Sequence, residues 1–270
     1  MYKLIACDLD ETLLDSYAHV TPKNVEAIRK ACEKGVKFVL ATGRGYETVQ
    51  GTLEELGLKD IEDQYVMSFN GGALTENKGN RMLHFEGLTF EKAEAIYKYG
   101  IQFDDICVHV YTKDTTYVYN YLEGERKALN GKMPVTEIFS KDIDFLKDTP
   151  IVKCLFMNFD REYLQRIEKD MYPIVYDCDV SYSSNRYIEF NKKGVNKGQG
   201  LRQLAELLNI DIKDTIAIGD NLNDLPMIEA AGLGVGVANT IEVMKDKCDY
   251  ICENDFRHDA VAEVIEKFVL

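Results

Sequence analysis

At 270 residues, with 46% hydrophobic and 29% charged residues, the chain can form one large or two modest domains and has the composition of an ordinary globular protein. Its formal charge of −14 argues against nonspecific nucleic-acid or anionic-membrane binding, although a metal and a few local cations can reverse the field inside one site. No apolar run approaches the roughly 18 residues of a membrane span, the amino-terminal run is too short and too acidic for a signal peptide, and seven scattered cysteines without a C-x-x-C pair suit reduced thiols in the cytoplasm.

Leu4-Ile5-Ala6-Cys7 reads as a buried strand that runs into Asp8-Leu9-Asp10. Side chains alternate along a strand, so the two carboxylates are expected to crowd one spot at its carboxyl end, where open α/β sheets bind ligands. A hard cation with oxygen ligands, Mg²⁺ first, would relieve their repulsion. Thr21-Pro22 signals a helix running to about Glu33 and stopping near Gly35. A second buried strand over 36–41 ends in Thr42-Gly43-Arg44, a helix follows to about Leu56, and a third strand over 65–69 ends in Asn70-Gly71-Gly72. Asn70-Gly71 is also a hairpin signal, so Ala73-Leu74 and Met82-Leu83-His84 should form a small ribbon.

From about residue 84 to 187 the pattern changes. Eleven of the sixteen tyrosines lie there, strands such as Thr116–Tyr121 alternate, and amphipathic helices fit at about 89–99 and 160–171. This predicts an inserted α+β module with a sheet covered on one face. The α/β pattern resumes with Tyr187-Ile188-Glu189-Phe190. Gly194-Val195-Asn196-Lys197 then leads into a helix, and the strand Thr215–Gly219 ends in Asp220-Asn221-Leu222-Asn223-Asp224. A helix near Pro226, strands at 233–237 and 250–252, and a last helix over 258–268 complete it. His19, His84, His109 and His258 show no ligand spacing and read as structural or surface residues.

Four polar strand or helix ends thus converge on one chemistry. Asp8, Asp10, Asp220 and Asp224 supply acid groups, Thr42 a hydroxyl, Gly43 an approachable backbone and Lys197 a cation near a helix start. That inventory suits phosphoryl transfer: cations balance charge, N–H groups hold oxygens, and a carboxylate attacks phosphorus. Each residue alone also has a plain reading as a cap, a turn or a solvated lysine.

Taken in order, Asp8-Leu9-Asp10-x-Thr12, Ala41-Thr42-Gly43-Arg44, Asn70-Gly71-Gly72, Lys197-Gly198 and Gly219-Asp220-x-x-Asn223-Asp224 resemble the haloacid dehalogenase (HAD) superfamily, and within it the Cof-type phosphatases with the larger α+β cap. The resemblance spans nearly the whole chain, with one departure: Glu11 stands where the family usually has glycine. It implies a Rossmann-like parallel-sheet HAD core over 1–83 and 188–270, with an inserted cap over 84–187 that closes over the site about linkers near Leu83 and Tyr187 and selects the substrate.

The resemblance also implies roles. Asp8 would be the nucleophile and Asp10 the acid and base. Mg²⁺ would sit on Asp8, the Asp10 main-chain carbonyl and Asp220, with Asp224 assisting through water. Thr42, Lys197, the main chain at Leu9 and Gly43, and Asn223 would bind the phosphoryl group, while Arg44, Asn70 and Gly71 are candidate substrate contacts. Mg²⁺ and Lys197 are expected to hold the Asp8 pKa down. The reading is a cytoplasmic Mg²⁺-dependent phosphatase of small phosphorylated metabolites, sugar phosphates first, with no nucleic-acid or membrane partner. A phosphomutase of the same superfamily and a catalytically quiet binding protein on the same fold remain open, while a signalling receiver fits neither the insertion nor the first-strand acidic pair.

Overall fold

The computed structural model describes residues 1–131, 133–183 and 186–270, in two compact units: Met1–Phe85 with Asn196–Leu270, and Glu86–Val195. The first unit begins with β1 (Leu4–Cys7), α1 (Pro22–Glu33), β2 (Lys37–Ala41), α2 (Gln50–Glu55), β3 (Tyr65–Ser68), β4 (Ala73–Glu76) and β5 (Arg81–Phe85). The second comprises α3 (Phe90–Gly100), β6 (Cys107–Thr112), β7 (Thr116–Tyr119), α4 (Glu123–Leu129), β8 (Val135–Ile138), β9 (Ile151–Met157), α5 (Arg161–Val175), β10 (Cys178–Ser183) and β11 (Tyr187–Lys192). The first resumes with α6 (Lys197–Leu207), β12 (Thr215–Gly219), α7 (Leu225–Ala230), β13 (Leu233–Gly236), α8 (Glu242–Lys245), β14 (Tyr250–Ile251) and α9 (Ala260–Phe268).

The strands of the first unit form one sheet in the order β14-β13-β12-β1-β2-β3-β4-β5, parallel from β14 to β3 and antiparallel beyond. Every residue of β1 is buried, as its central place between β12 and β2 requires. Ile5, Phe38, Leu40 and Ile218 join a core with α1 and α9 on one face, while Leu4, Val39, Met67 and Ala217 meet Leu201, Leu204 and Met227 on the other. The Thr21 hydroxyl accepts from Asn24 N–H, Pro22 opens α1, and Gly35 follows it at φ 86°, matching the expected start and stop.

In the second unit the sheet order is β10-β11-β9-β6-β7-β8. α3 and α5, capped by Thr89 and Asp160, pack Ile96, Tyr97, Leu164 and Ile167 against Val108, Phe156 and Phe190. Two expectations change here. Tyr187–Lys192 does not resume the α/β sheet: it pairs antiparallel with both β9 and β10, so the inserted unit runs to Val195 and the chain crosses between units at about 85/86 and 195/196. The polar Glu189 between Ile188 and Phe190 was the sign of an alternating strand.

Alternation also holds only locally. β7 alternates, but β9 is buried along its whole length. The face away from α3 and α5 carries buried ionic groups. Lys153 pairs with Glu189, and His109 lies 3.6 Å from Glu125 of α4, a helix the sequence reading does not place. Burial first, then the charges of Lys153 and Arg186, push His109 down to about 3, so it is neutral. Among the described residues all seven cysteines are free, and no helix is long and apolar enough to cross a membrane.

Candidate active site

The Asp8 N–H donates to Ile218 O at 2.9 Å, which continues the β1/β12 register by one residue and buries the Asp8 side chain. There the strand stops. Leu9 O accepts from the N–H groups of Leu13 (3.0 Å) and Leu14 (2.9 Å), and Glu11 turns left-handed at φ 60°. That turn overturns the expected crowding of Asp8 with Asp10. Asp10 faces elsewhere, is 59% exposed, and accepts a two-pronged fork from Arg44, with Nε to Oδ2 at 3.0 Å. Period-two alternation fails because the chain is no longer extended after Asp8.

The carboxylates that do meet Asp8 come from beyond β12. Oxygens of Asp8, Asp220 and Asp224 all lie within 4.8 Å of one another. Asp224 folds back so that its Oδ2 accepts from the Asp220 N–H (3.0 Å) and Asn221 N–H (3.1 Å), while its Oδ1 accepts from Lys197 Nζ at 2.6 Å. Gly219 makes this possible, since a Cβ there would stand 2.4 Å from Asp224 Cβ. Lys197, at the first turn of α6, is wholly buried and also donates to Asp8 Oδ1. Thr12 donates its hydroxyl to Asp220 Oδ1 at 2.7 Å. The sequence motif contains Thr12, but nothing in its spacing tells that it orients Asp220.

The ends of β2 and β3 form the remaining wall. Thr42 is buried and its Oγ1 accepts from the Arg44 N–H at 3.0 Å, which leaves its own proton free to donate. The N–H groups of Leu9 and Gly43 find no acceptor among the described residues. Phe69, Asn70 and Gly71 are left-handed in succession, at φ 54°, 55° and 94°. For a bulky residue such as Phe69 that conformation costs about 1–2 kcal/mol. Asn223, exposed, donates weakly from Nδ2 to Asn70 Oδ1 at 3.5 Å. Gly71 packs tightly on one side: a Cβ on it would lie 2.4 Å from Asn196 O.

At Asp8 burial drives the pKa up, the Lys197 charge pulls it down and the Asp224 charge adds to the rise. Burial likewise raises Asp220 to about 7, against the hydrogen bond from Thr12. On Lys197 burial acts to lower the pKa, but Asp224 and Asp8 outweigh it and hold the ammonium charged. Three carboxylates facing one ammonium leave an excess of negative charge in a buried place. A divalent cation with oxygen ligands fits that donor set and that imbalance. The Asp10 side chain stands outside this group, so only its main chain remains as an expected ligand.

The sequence matches the haloacid dehalogenase-like hydrolase family over residues 5–265. The chain belongs to this family. It is 30% identical over 281 residues to the phosphatase YwpJ of Bacillus subtilis (strain 168), covering 95% of this chain and 96% of that one. It is 28% identical over 279 residues to the 5-amino-6-(5-phospho-D-ribitylamino)uracil phosphatase YcsE of the same organism, covering 99% and 96%. A solved haloacid dehalogenase-like hydrolase from Bacteroides thetaiotaomicron superposes with a TM-score of 0.87 at 29% identity, covering 99% of both chains. The chain is a HAD-type phosphatase, with the mixed α/β architecture expected of one.

Proposed function

We propose that this HAD phosphatase hydrolyses small phosphorylated metabolites, sugar phosphates first, through a phosphoryl-aspartate on Asp8, with Mg²⁺ as its metal. The observation that carries the reading is Asp8 itself: a buried carboxylate at the end of the central strand, bonded by Lys197 and within ligand distance of Asp220 and Asp224. Support for the substrate class comes from YcsE, whose name describes a phosphate ester on a polyhydroxylated ribityl chain.

In the proposed cycle an Asp8 oxygen bonds to phosphorus as the ester P–O bond breaks, and Asp10 gives its proton to the departing oxygen. Asp10 then takes a proton from water as that water attacks the phosphorus of the phosphoryl-aspartate. Inorganic phosphate leaves and Asp8 is restored. Thr42 Oγ1, Lys197 Nζ, Asn223 and the N–H groups of Leu9 and Gly43 would hold the phosphoryl oxygens. Asp8, Asp220 and the Asp10 carbonyl, with Asp224 behind them, would hold Mg²⁺, which would supply positive charge against the anionic oxygens. The Arg44 fork occupies both carboxylate oxygens, so it must open and Asp10 must take up a proton before Asp10 can act as the acid. Substrate choice is assigned to the inserted unit, since the residues of this chemistry all belong to the first.

The test is phosphate release from a panel of sugar phosphates, nucleotides and phosphorylated cofactors, with Mg²⁺, with chelator, and in Asp8→Asn. Metal-dependent release that disappears in Asp8→Asn supports the reading. Folded protein that releases nothing, or that returns the phosphoryl group to a second hydroxyl, defeats it in favour of a binding protein or a mutase.

A further inference from the structure

The turn between β3 and β4 holds more strain than a hairpin needs. A tight hairpin turn takes two left-handed residues, and Asn70-Gly71 supplies them. Phe69 is a third, and a bulky side chain seldom adopts φ 54°. Such an outlier persists only where its surroundings over-determine it. Here they do: the Phe69 N–H donates to Arg44 O at 3.1 Å and the Asn70 N–H to Thr42 O at 2.8 Å, which straps the turn onto the loop after β2. The Phe69 ring closes against Gly45, where a Cβ would meet it at 2.9 Å.

This strapping delivers the Asn70 carboxamide to one place. Its Oδ1 lies 3.3 Å from where a Cβ on residue 43 would stand, so Gly43, whose φ is not positive, lets the carboxamide sit close without crowding. The same Oδ1 accepts from Asn223 Nδ2 at 3.5 Å. A carboxamide has a donor end and an acceptor end, and only the donor end can bind a phosphoryl oxygen. The acceptor at Asn70 holds the NH₂ end of Asn223 by one proton, which leaves the second proton of that nitrogen for a phosphoryl oxygen.

We propose that Asn70 is a positioning residue that orients the Asn223 amide for phosphoryl binding, with no substrate contact of its own. The proposal rests on the phosphatase reading above. The turn couples the ends of β2, β3 and β12, so the left-handed strain serves the alignment of Gly43 and Asn223.

The experiment is a double-mutant cycle on the full chain with Asn70→Gly, Asn223→Ala and both together. Glycine tolerates φ 55°, so the turn can form without the carboxamide, and thermal unfolding checks that it does. The readouts are calorimetric affinity for inorganic phosphate in Mg²⁺, and KM against kcat for the best ester. Each single variant is expected to weaken phosphate binding by about tenfold, the loss of one hydrogen bond to a charged group. KM should rise more than kcat falls. The double variant should bind no more than about twofold more weakly than the worse single one.

Unchanged phosphate affinity in folded Asn70→Gly overturns the proposal, as do single losses that multiply in the double variant. Wild-type protein that binds phosphate with this coupling but hydrolyses no ester would sink the phosphatase reading and leave Asn70 in its role. Active wild type with a silent Asn70→Gly does the reverse.

Discussion

Lys197→Met separates charge from packing in the buried cluster. Methionine can fill much of the space of the lysine stem but carries no ammonium. The contact from Lys197 Nζ to Asp224 at 2.6 Å has a Coulomb energy of about 6 kcal/mol at an effective dielectric constant near 20, before desolvation is counted. Removing one partner of a buried pair typically costs about 3–5 kcal/mol. Protonation limits the loss, because a stranded carboxylate can take up a proton at about 1.4 kcal/mol for each pH unit above its ordinary value. The ceiling for one carboxylate is therefore about 5–6 kcal/mol at pH 8 and about 2 kcal/mol at pH 5.5. The expected destabilisation in chelator is about 4 kcal/mol at pH 8, shrinking to about 2 kcal/mol or less at pH 5.5. Urea unfolding followed by circular dichroism, with hydrogen exchange at the β1 amides to report the first unit, measures it. Equal losses at the two pH values would refute the reasoning and assign the cost to packing of the stem.

Three further outcomes follow from the structure. Asp220 titrates at about 7 when folded against an ordinary 3.8, so between those values the native state holds a proton that the unfolded chain has released. Metal-free stability should fall as pH rises from about 4 to about 7, and the melting-temperature gain from Mg²⁺ over chelator should grow from pH 5 to pH 8; a constant gain would contradict this. In the second unit, Lys153→Met should cost up to about 3 kcal/mol by removing the ion pair with Glu189, whereas Lys153→Met with Glu189→Leu should recover part of it, and chemical unfolding of both variants decides. Glu11→Gly should leave stability within about 1 kcal/mol of wild type or raise it, because relief of the left-handed strain offsets the extra chain entropy; a larger loss in thermal unfolding would show that the Glu11 side chain has a structural partner.

Much of the first unit is legible in the sequence because its signals are local. Thr21-Pro22 with Gly35 bounds α1, and apolar runs ending in polar residues mark β1, β2 and β12. The acidic trio is less so. Asp8 and Asp220 are visible at strand ends, but the fold-back of Asp224 onto the amides of Asp220 and Asn221 depends on the space that Gly219 leaves. Asp10 misleads because two-residue alternation holds only while a chain stays extended, and here the turn starts one residue after the strand ends. In the second unit Tyr187–Lys192 carries an apolar pair that suits either sheet, and only its pairing with β9 and β10 decides. Long-range strand pairing leaves little trace in composition, which is why that boundary moved by eight residues, from 187 to 195.

The two aspartates of the first motif live under opposite regimes, and the proposed chemistry needs that separation. Asp8 is buried, bonded by Lys197 and set beside Asp220 and Asp224, so positive charge brought to the cluster favours its ionised form. A carboxylate nucleophile attacks in that form. Asp10 is exposed, and its partner Arg44 is 37% exposed, so the fork between them sits in high dielectric and opens at little cost. An acid that must also serve as a base needs access to water and a partner it can leave. Burying Asp10 beside Asp8 would add a fourth carboxylate to the acidic cluster and tie the two residues into one coupled pair. The turn after Asp8, with Glu11 held left-handed, prevents that by sending the second carboxylate out of the cluster.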